Sequence, residues 1–362
     1  QGQHSEPTAE EQWRQFGELT CQNDYVDSLR GRNLDVYLLG ERIDEPVYHP
    51  IVRPSINAMA ASYQLAADEP DLANAWSSIT ERRINRFLHI PESPQDLVQK
   101  NKMQRRMGQL TGTCFQRCAG LDTLSVLFSI TFDIDKKHGT AYHERYLAFL
   151  KKAQVRNLIV GAGMTDPKGD RSKRPSDQSD PDLFMHVTRR TDKGLYVKGA
   201  KAHMTGGLNS HWICVMPTMN MLESDKDYAV IGMIPATAPG LTYIYGRQSC
   251  DTRALEVGDI DKGNAQYGGQ ETLVIFDDVF IPWAHVLMDG EYEFAQELVS
   301  RFTAYHRASY VCKTGLGDVM IGAASSVAEM NGAETASHVR DKLVEMTHLN
   351  ETIYSSGIAS SY

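Results

Sequence analysis

Leu183-Phe-Met-His-Val-Thr-Arg189 and Gly194-Leu-Tyr-Val-Lys-Gly-Ala-Lys-Ala-His203 stand on either side of the turn Thr191-Asp-Lys-Gly194. β-Branched and aromatic residues flanking a glycine-bearing turn read as a β-hairpin. Strand-like runs continue at 212–217, 228–234, 241–245 and 271–281. On the N-terminal side, residues 9–152 are mostly helical in pattern. Apolar positions at three- and four-residue spacing run through 110–132, among them Leu121, Leu124 and Leu127. Pro46, Pro50 and Pro54 cut an early segment into turns, and Pro91 and Pro94 separate a helix pair. After Pro282 the helical pattern returns over 292–354. Gly315, Gly317 and Gly322 sit inside it and would let a neighbouring backbone or a cofactor approach closely. Helices, then strands, then helices predict an α+β fold. Its expected divisions are a flexible segment over 1–15, a helical domain over 16–153, a β-domain over 154–286 and the start of a second helical domain over 287–362.

A chain of 362 residues and 40.5 kDa can bury several cores. Hydrophobic content of 41% and charged content of 23% are ordinary for a globular protein. A net charge of −9 argues against nucleic acid or an anionic membrane as partner. No uninterrupted apolar run is long enough to span a bilayer. The six cysteines (Cys21, Cys114, Cys118, Cys214, Cys250, Cys312) are scattered, unlike the dense framework of a small disulfide-stapled domain, so a reducing cytoplasm is expected. The chain begins at Gln1 and stops at Tyr362 without a closing element, which reads as a portion of a longer product. Neither a Gly-x-Gly-x-x-Gly motif nor a P-loop is present.

Three thiols and an imidazole attract the most attention. Cys114-Phe-Gln-Arg-Cys118 would put two sulfurs on one face of a single helix, with Arg117 adding positive charge nearby. His306 and Cys312 lie almost two hundred residues further on. Six residues of regular helix would leave them roughly 120° apart, so a shared metal needs a helix end or bulge there. Soft thiolates suit zinc, copper(I) or an iron–sulfur cluster. His306, Tyr310 and Lys313 at i, i+4 and i+7 form an acid–base stripe. The loop from Gly161 to Arg171 is dense in glycine, hydroxyl and charge, which offers N–H groups to an anionic or heteroaromatic ligand. Lys201-Ala-His-Met-Thr205-Gly-Gly runs a strand into a glycine pair, and Glu271 places a carboxylate at the mouth of an apolar strand. The basic run Lys102, Arg105 and Arg106 is a candidate for the phosphates of a nucleotide-bearing ligand, a solvated helix face being its bland alternative.

Five motifs in order, Phe115-Gln-Arg-Cys118, Met164-Thr-Asp-Pro-Lys-Gly-Asp-Arg171, Gly199-Ala-Lys-Ala-His-Met-Thr-Gly206, Tyr245-Gly-Arg-Gln-Ser-Cys-Asp-Thr-Arg253 and Glu345-Met-Thr-His-Leu-Asn-Glu-Thr352, resemble the 4-hydroxybutyryl-CoA dehydratase family. That family is a branch of the flavin-dependent 4-hydroxyphenylacetate 3-monooxygenases. The resemblance covers about 24–362. It implies an acyl-CoA-dehydrogenase-like fold with a β-barrel-like middle domain, a homotetramer, FAD and a [4Fe-4S] cluster. It also implies an acyl-CoA substrate, with dehydration of 4-hydroxybutyryl-CoA and isomerisation of vinylacetyl-CoA to crotonyl-CoA by radical chemistry. The alternatives are a flavin-dependent aromatic hydroxylase of the wider family and a non-catalytic fragment. Carried over residue by residue, the flavin contacts fall on Met164, Thr165, Asp166, Lys168, Arg171 and Thr205. The cluster ligands fall on Cys114, Cys118, His306 and Cys312, and the acid–base residues on Glu271, Tyr310 and Lys313 besides His306. This chain departs from the pattern by one residue fewer between His306 and Cys312, a change of the kind a π-bulge absorbs. The family's chains also continue beyond Tyr362 with further helices, a catalytic glutamate and flavin contacts made across subunits.

Overall fold

The computed structural model describes residues 6–246 and 264–362. The part of the Tyr245–Arg253 motif after Gly246, with Cys250, lies outside the described residues.

The N-terminal region is helical, as its periodicity predicts. It comprises α1 (Ala9–Trp13), α2 (Gln22–Ser28), α3 (Arg53–Asp68), α4 (Pro70–Ala73), α5 (Pro94–Thr111), α6 (Cys118–His138) and α7 (Tyr142–Arg156). Local chemistry sets the ends. Ser93 caps α5 by accepting the Asp96 N–H, Pro94 opens its first turn, and Gly112 at φ +60° closes it. Gly139 and Asn157 end α6 and α7 in the same left-handed conformation. Two short pairs interrupt these helices: β1 (Asp35–Leu38) with β2 (Glu41–Arg42), and β3 (Asn74–Ser77) with β4 (Arg82–Asn85).

The middle region holds β5 (Val160–Gly163), β6 (His186–Arg190), β7 (Gly194–Thr205), β8 (Trp212–Val215), β9 (Val230–Pro235), β10 (Leu241–Gly246), β11 (Glu271–Pro282) and β12 (Val286–Asp289). The predicted hairpin is present: β6 and β7 pair antiparallel, and Thr191 N–H donates to the Gly194 carbonyl at 2.8 Å. One sheet has the order β2-β1-β10-β11-β7-β6 and the other β12-β9-β8-β5. Both are open, so the middle region is two sheets and not a closed barrel. β1 runs parallel to β10, so the N-terminal part lends strands to the larger sheet. The start of the loop read from sequence over Gly161–Arg171 belongs instead, with Val160, to a fully buried strand parallel to β8. The core runs from Trp13 of α1 through Phe149 of α7 to Trp212 of β8, ring centroids 4.6–5.1 Å apart.

The chain closes with α8 (Ala295–Ala308), a 3-10 turn over Ser309–Val311, α9 (Cys312–Met330) and α10 (Ser337–Ala359). Where α5 and α9 cross, glycine meets glycine. A Cβ on Gly315 would stand 2.0 Å from the Arg105 carbonyl oxygen, and one on Gly108 would stand 2.3 Å from that of Cys312. Gly317 gives similar room to the Asn350 side chain, while Gly322 faces open space and has no such duty. Arg105 adds an ion pair to Asp318 at 2.8 Å and one to Glu351, tying α5 to α9 and α10, and Arg106 pairs with Glu69 at 2.7 Å. Two of the three charges in the basic run are therefore committed to holding helices together.

Candidate functional site

The helix crossing brings the N-terminal cysteines to the third. Cys118 opens α6, Cys312 opens α9, and their thiols share a hydrogen bond. That bond, burial and the Cys312 and Asp122 charges push the Cys118 thiol well up. Cys114 does not share a helix face with Cys118. It lies in the loop ahead of α6, because Gln116 takes φ +69°, which no helix accommodates. Gln116 holds the loop by donating to the Ser55, Gly268 and Cys114 carbonyls at 2.9, 3.1 and 3.4 Å. Cys114 is open to solvent, yet its thiol is pushed up to about 12, first by burial and then by Cys118 and Glu271. The residue has surface open to solvent, while the protein around its sulfur destabilises the thiolate. The Lys313 ammonium acts on Cys114 in the opposite sense, so the acid of β11 and the base of α9 both reach this thiol electrostatically.

Arg117 is not part of this group. Its guanidinium turns to α3, donates to Ser62 Oγ at 2.8 Å and lies over the Tyr63 and Phe87 rings. The expectation that it supplies charge to the thiols is thereby corrected: a buried planar cation was better accommodated between aromatic faces.

His306 closes α8, and the 3-10 turn separates it from Cys312. The helix break that a shared site demands is thus present, but as a tightened turn and not the wider π-bulge expected. A shorter spacing calls for fewer residues per turn, which 3-10 geometry provides. The acid–base row survives this change: the His306 and Tyr310 rings are 5.1 Å apart, and Lys313 Nζ lies 4.0 Å from the Tyr310 centroid. His306 stacks on Phe302 as well, and its Nδ1 is 2.9 Å from Asp122 Oδ2. Asp122 is fully buried and its other oxygen meets Lys100 Nζ at 2.9 Å. Burial opposes its ionised form, but the Lys100 charge and the His306 hydrogen bond outweigh burial and hold the carboxyl below its usual range.

Glu271 begins β11 opposite Thr205 of β7. One carboxylate oxygen accepts from Thr205 Oγ1 at 3.3 Å and the other lies 3.2 Å from His203 Nδ1. His203 adopts φ +51° to present that ring, a conformation uncommon for a residue with a side chain. The loop after β5 runs along β7, with Ala202 N–H donating to the Thr165 carbonyl at 2.7 Å. Thr165, Asp166, Lys168 and Arg171 line a cleft of about 430 Å³ with Phe184 and Thr218. Met164 packs on the core beside it. Asp166 is anchored within this cleft: its oxygens take Lys201 Nζ at 2.6 Å and Thr218 Oγ1 at 2.9 Å. Lys201 also donates to the Met164 and Met216 carbonyls at 2.9 Å, so this buried pair shapes the loop. A cavity of about 980 Å³ between α6 and α7 contains none of these residues.

Sequence reasoning missed Asp122 and Lys100, and it singled out the segment of Lys201 and His203 without giving either side chain a role. Asp122 carried a readable signal, a carboxylate one helical turn after Cys118 inside an apolar run. The other three depend on partners far away in sequence.

The 4-hydroxyphenylacetate 3-hydroxylase N-terminal pattern matches residues 21–288, and the C-terminal pattern of the same family matches 295–362. The chain is 53% identical over 347 residues to the 4-hydroxybutyryl-CoA dehydratase/vinylacetyl-CoA-Delta-isomerase of Clostridium aminobutyricum, covering 95% of this chain and 71% of that one. It is 25% identical over 331 residues to the oxygenase component of 4-hydroxyphenylacetate 3-monooxygenase from Thermus thermophilus, covering 89% and 66%. An oxygen-tolerant archaeal 4-hydroxybutyryl-CoA dehydratase from N. maritimus superposes with a TM-score of 0.93 at 64% identity, over 94% of this chain and 68% of that one. The oxygenase component of 4-hydroxyphenylacetate 3-monooxygenase complexed with FAD shares the fold at a TM-score of 0.78 and 22% identity, over 93% and 70%. The chain belongs to the 4-hydroxyphenylacetate 3-hydroxylase family and stands within it beside the 4-hydroxybutyryl-CoA dehydratases.

Proposed function

We propose that the chain dehydrates 4-hydroxybutyryl-CoA to crotonyl-CoA and isomerises vinylacetyl-CoA to the same product. The observation that carries this is the 53% identity over 95% of the chain to a 4-hydroxybutyryl-CoA dehydratase/vinylacetyl-CoA isomerase. It is supported by the nearness of Cys118 to Cys312, by Cys114 within electrostatic reach of Cys118, Glu271 and Lys313, and by His306 held to the helix of Cys118 through Asp122. An aromatic hydroxylase has no use for three converging thiols.

Among the described residues no three of His, Cys, Asp and Glu crowd around one point as a single metal ion requires. A [4Fe-4S] cluster spreads its ligands over the corners of a cube, and soft thiolates with one imidazole suit it. Cys114, Cys118, Cys312 and His306 would hold that cluster, and Met164, Thr165, Lys168, Arg171 and Thr205 would hold FAD, with Asp166 and Lys201 shaping the loop. When bound, the flavin supplies one-electron chemistry that makes the unactivated C3 hydrogen removable, and the cluster offers a Lewis-acid site for the departing hydroxyl.

The chain's own residues handle protons. The C2 hydrogen of a thioester is acidic, and a positioned carboxylate or imidazole can take it. Glu271, oriented by Thr205 and His203, is one candidate base, and His306 Nε2 is the other. Tyr310 lies between His306 and Lys313, where its phenol can pass a proton while the ammonium favours developing negative charge.

A homotetramer is part of the same proposal, supported by Val319, Met320, Val327, Met330 and Val344, which α9 and α10 leave exposed. So are a reducing compartment, supported by the free state of all five described cysteines, and domains over 16–153, 154–286 and from 287. Anaerobic reconstitution with iron, sulfide and FAD, followed by an assay for crotonyl-CoA, tests the function. Flavin uptake without iron, together with oxidation of a phenol, would instead establish the hydroxylase.

A further inference from the structure

We infer that Asp122, neutralised by Lys100, is the positioning residue that fixes the tautomer and ring plane of His306. The inference rests on the reading of His306 as a cluster ligand and assigns the groups that make it one.

Cys118 is the first residue of α6 and Asp122 follows four residues later. On a helix that spacing puts both on one face, one turn apart. The helix that presents the buried thiol thus also presents the carboxylate, whose Oδ2 lies 2.9 Å from His306 Nδ1. An ionised carboxylate only accepts, so Nδ1 carries the hydrogen and the lone pair is left on Nε2. The ring has little other freedom. Phe302 stacks on it at 24° and 5.1 Å, and Tyr310 meets it edge-on at 5.1 Å. Packing limits the tilt of the plane, and among the described residues Asp122 is the hydrogen-bond partner that distinguishes one nitrogen from the other.

Lys100 explains how Asp122 persists. The carboxylate is 0% and the ammonium 2% exposed, a depth at which a lone charge would not survive. At 2.9 Å they form a neutral pair, and Nζ also lies 5.8 Å from the Tyr305 centroid, the residue before His306. Helices α5, α6 and α8 therefore converge on one hydrogen bond to one ring nitrogen. A carboxylate serving packing alone would be satisfied by Lys100 and need not face the imidazole. Carboxylate-to-imidazole contacts of this form orient histidines that bind metals through the opposite nitrogen.

The test uses the full chain after anaerobic reconstitution and reads iron per chain together with the ¹⁴N hyperfine coupling in pulsed EPR of the reduced protein. Removing one charge alone risks misfolding, so the pair is changed together. Lys100→Met with Asp122→Asn keeps a neutral site and an acceptor oxygen. It is expected to retain the nitrogen coupling of the unsubstituted protein. Lys100→Met with Asp122→Leu keeps the packing but deletes the acceptor, and is expected to lose that coupling and to bind iron less completely. Should the leucine pair not fold, Asp122→Glu moves the accepting oxygen by one methylene and is expected to change the coupling. Unchanged coupling in the leucine pair, or in Asp122→Glu if that pair is lost, overturns the inference alone. An unsubstituted protein with iron but no nitrogen coupling overturns it together with the assignment of His306 as a ligand. One that takes up no iron overturns the cluster reading as well.

Discussion

Replacing Gly315 by alanine tests the helix crossing that brings Cys312 to the other thiols. The new Cβ would stand 2.0 Å from the Arg105 carbonyl oxygen, whereas ordinary contact begins at 3.4 Å. The difference, 3.4 − 2.0 = 1.4 Å, is the separation α5 and α9 must gain at that point. The obstacle is backbone and cannot swing aside. Overpacking of this kind costs about 1–3 kcal/mol, and the better helix propensity of alanine returns up to about 1 kcal/mol. A net loss of about 1 kcal/mol follows, which for a chain of this length lowers Tm by roughly 1–2 °C. The chemical effect is larger than the thermal one. Cys312 lies three residues before Gly315, and metal–ligand distances hold within about 0.2 Å, so a shift above an ångström breaks the set. Iron per chain after reconstitution should fall sharply. Gly322→Ala in the same helix is the control: nothing lies within 4 Å of its Cβ, so stability should rise by up to about 1 kcal/mol with iron unchanged. If both variants melt and bind iron alike, the close crossing does not exist.

His285 accepts from Trp13 Nε1 at 3.1 Å, lies 2.8 Å from Gln12 Oε1, and is pushed down to about 3 by burial and by the Lys152 charge. The unfolded chain binds this proton first, so the stability it guards is present above about pH 6.5 and lost as pH falls toward 3. Between pH 7 and 5 the loss is about 2 kcal/mol, and urea melts should show it shrinking by that amount in His285→Gln. An unchanged difference would refute the burial argument. Asp166→Asn leaves Lys201 charged and buried, which should destabilise the protein by about 3–5 kcal/mol and weaken FAD binding measured by flavin fluorescence. Retained stability would mean the pair is not closed off from water. Glu271→Gln should lower turnover roughly 10²–10⁴-fold while Tm stays within a degree or so, since Glu271 is only partly buried and anchored by two weak bonds. Full activity would transfer the role of base elsewhere.

The hairpin around Thr191–Gly194 was legible because local turn chemistry and β-rich flanks agree with each other. β5 was not, because Val160-Gly-Ala-Gly163 carries the glycines of a loop. Those glycines are there for packing: a Cβ on Gly161 would meet Ser210 Oγ at 2.7 Å, and one on Gly163 would meet Met204 Cε at 2.6 Å. The short strand β12 pairs only with distant β9, and β1 joins the sheet through distant β10 besides its two-residue neighbour β2, so neither leaves a periodic trace. At the site, residue types were readable and directions were not. Cysteine spacing implied a common helix, yet the positive φ of Gln116 postpones the helix to Cys118. The missing residue between His306 and Cys312 pointed to a local rewinding, but its sense, tighter and not wider, follows from three-dimensional constraint.

The parallel pairing of β1 with β10 bears on how the protein is born. Asp35 and Thr242 are neighbours in the sheet and 207 residues apart in the chain. A ribosome adding about 5–20 residues per second takes roughly 10–40 s to cover that interval. Throughout it β1 has only the two-residue β2 beside it, and the edge that β10 will cover stays open next to Val36 and Leu38, which are buried in the finished sheet. The nascent chain must wait with an apolar edge in water, which is the condition a holding chaperone relieves.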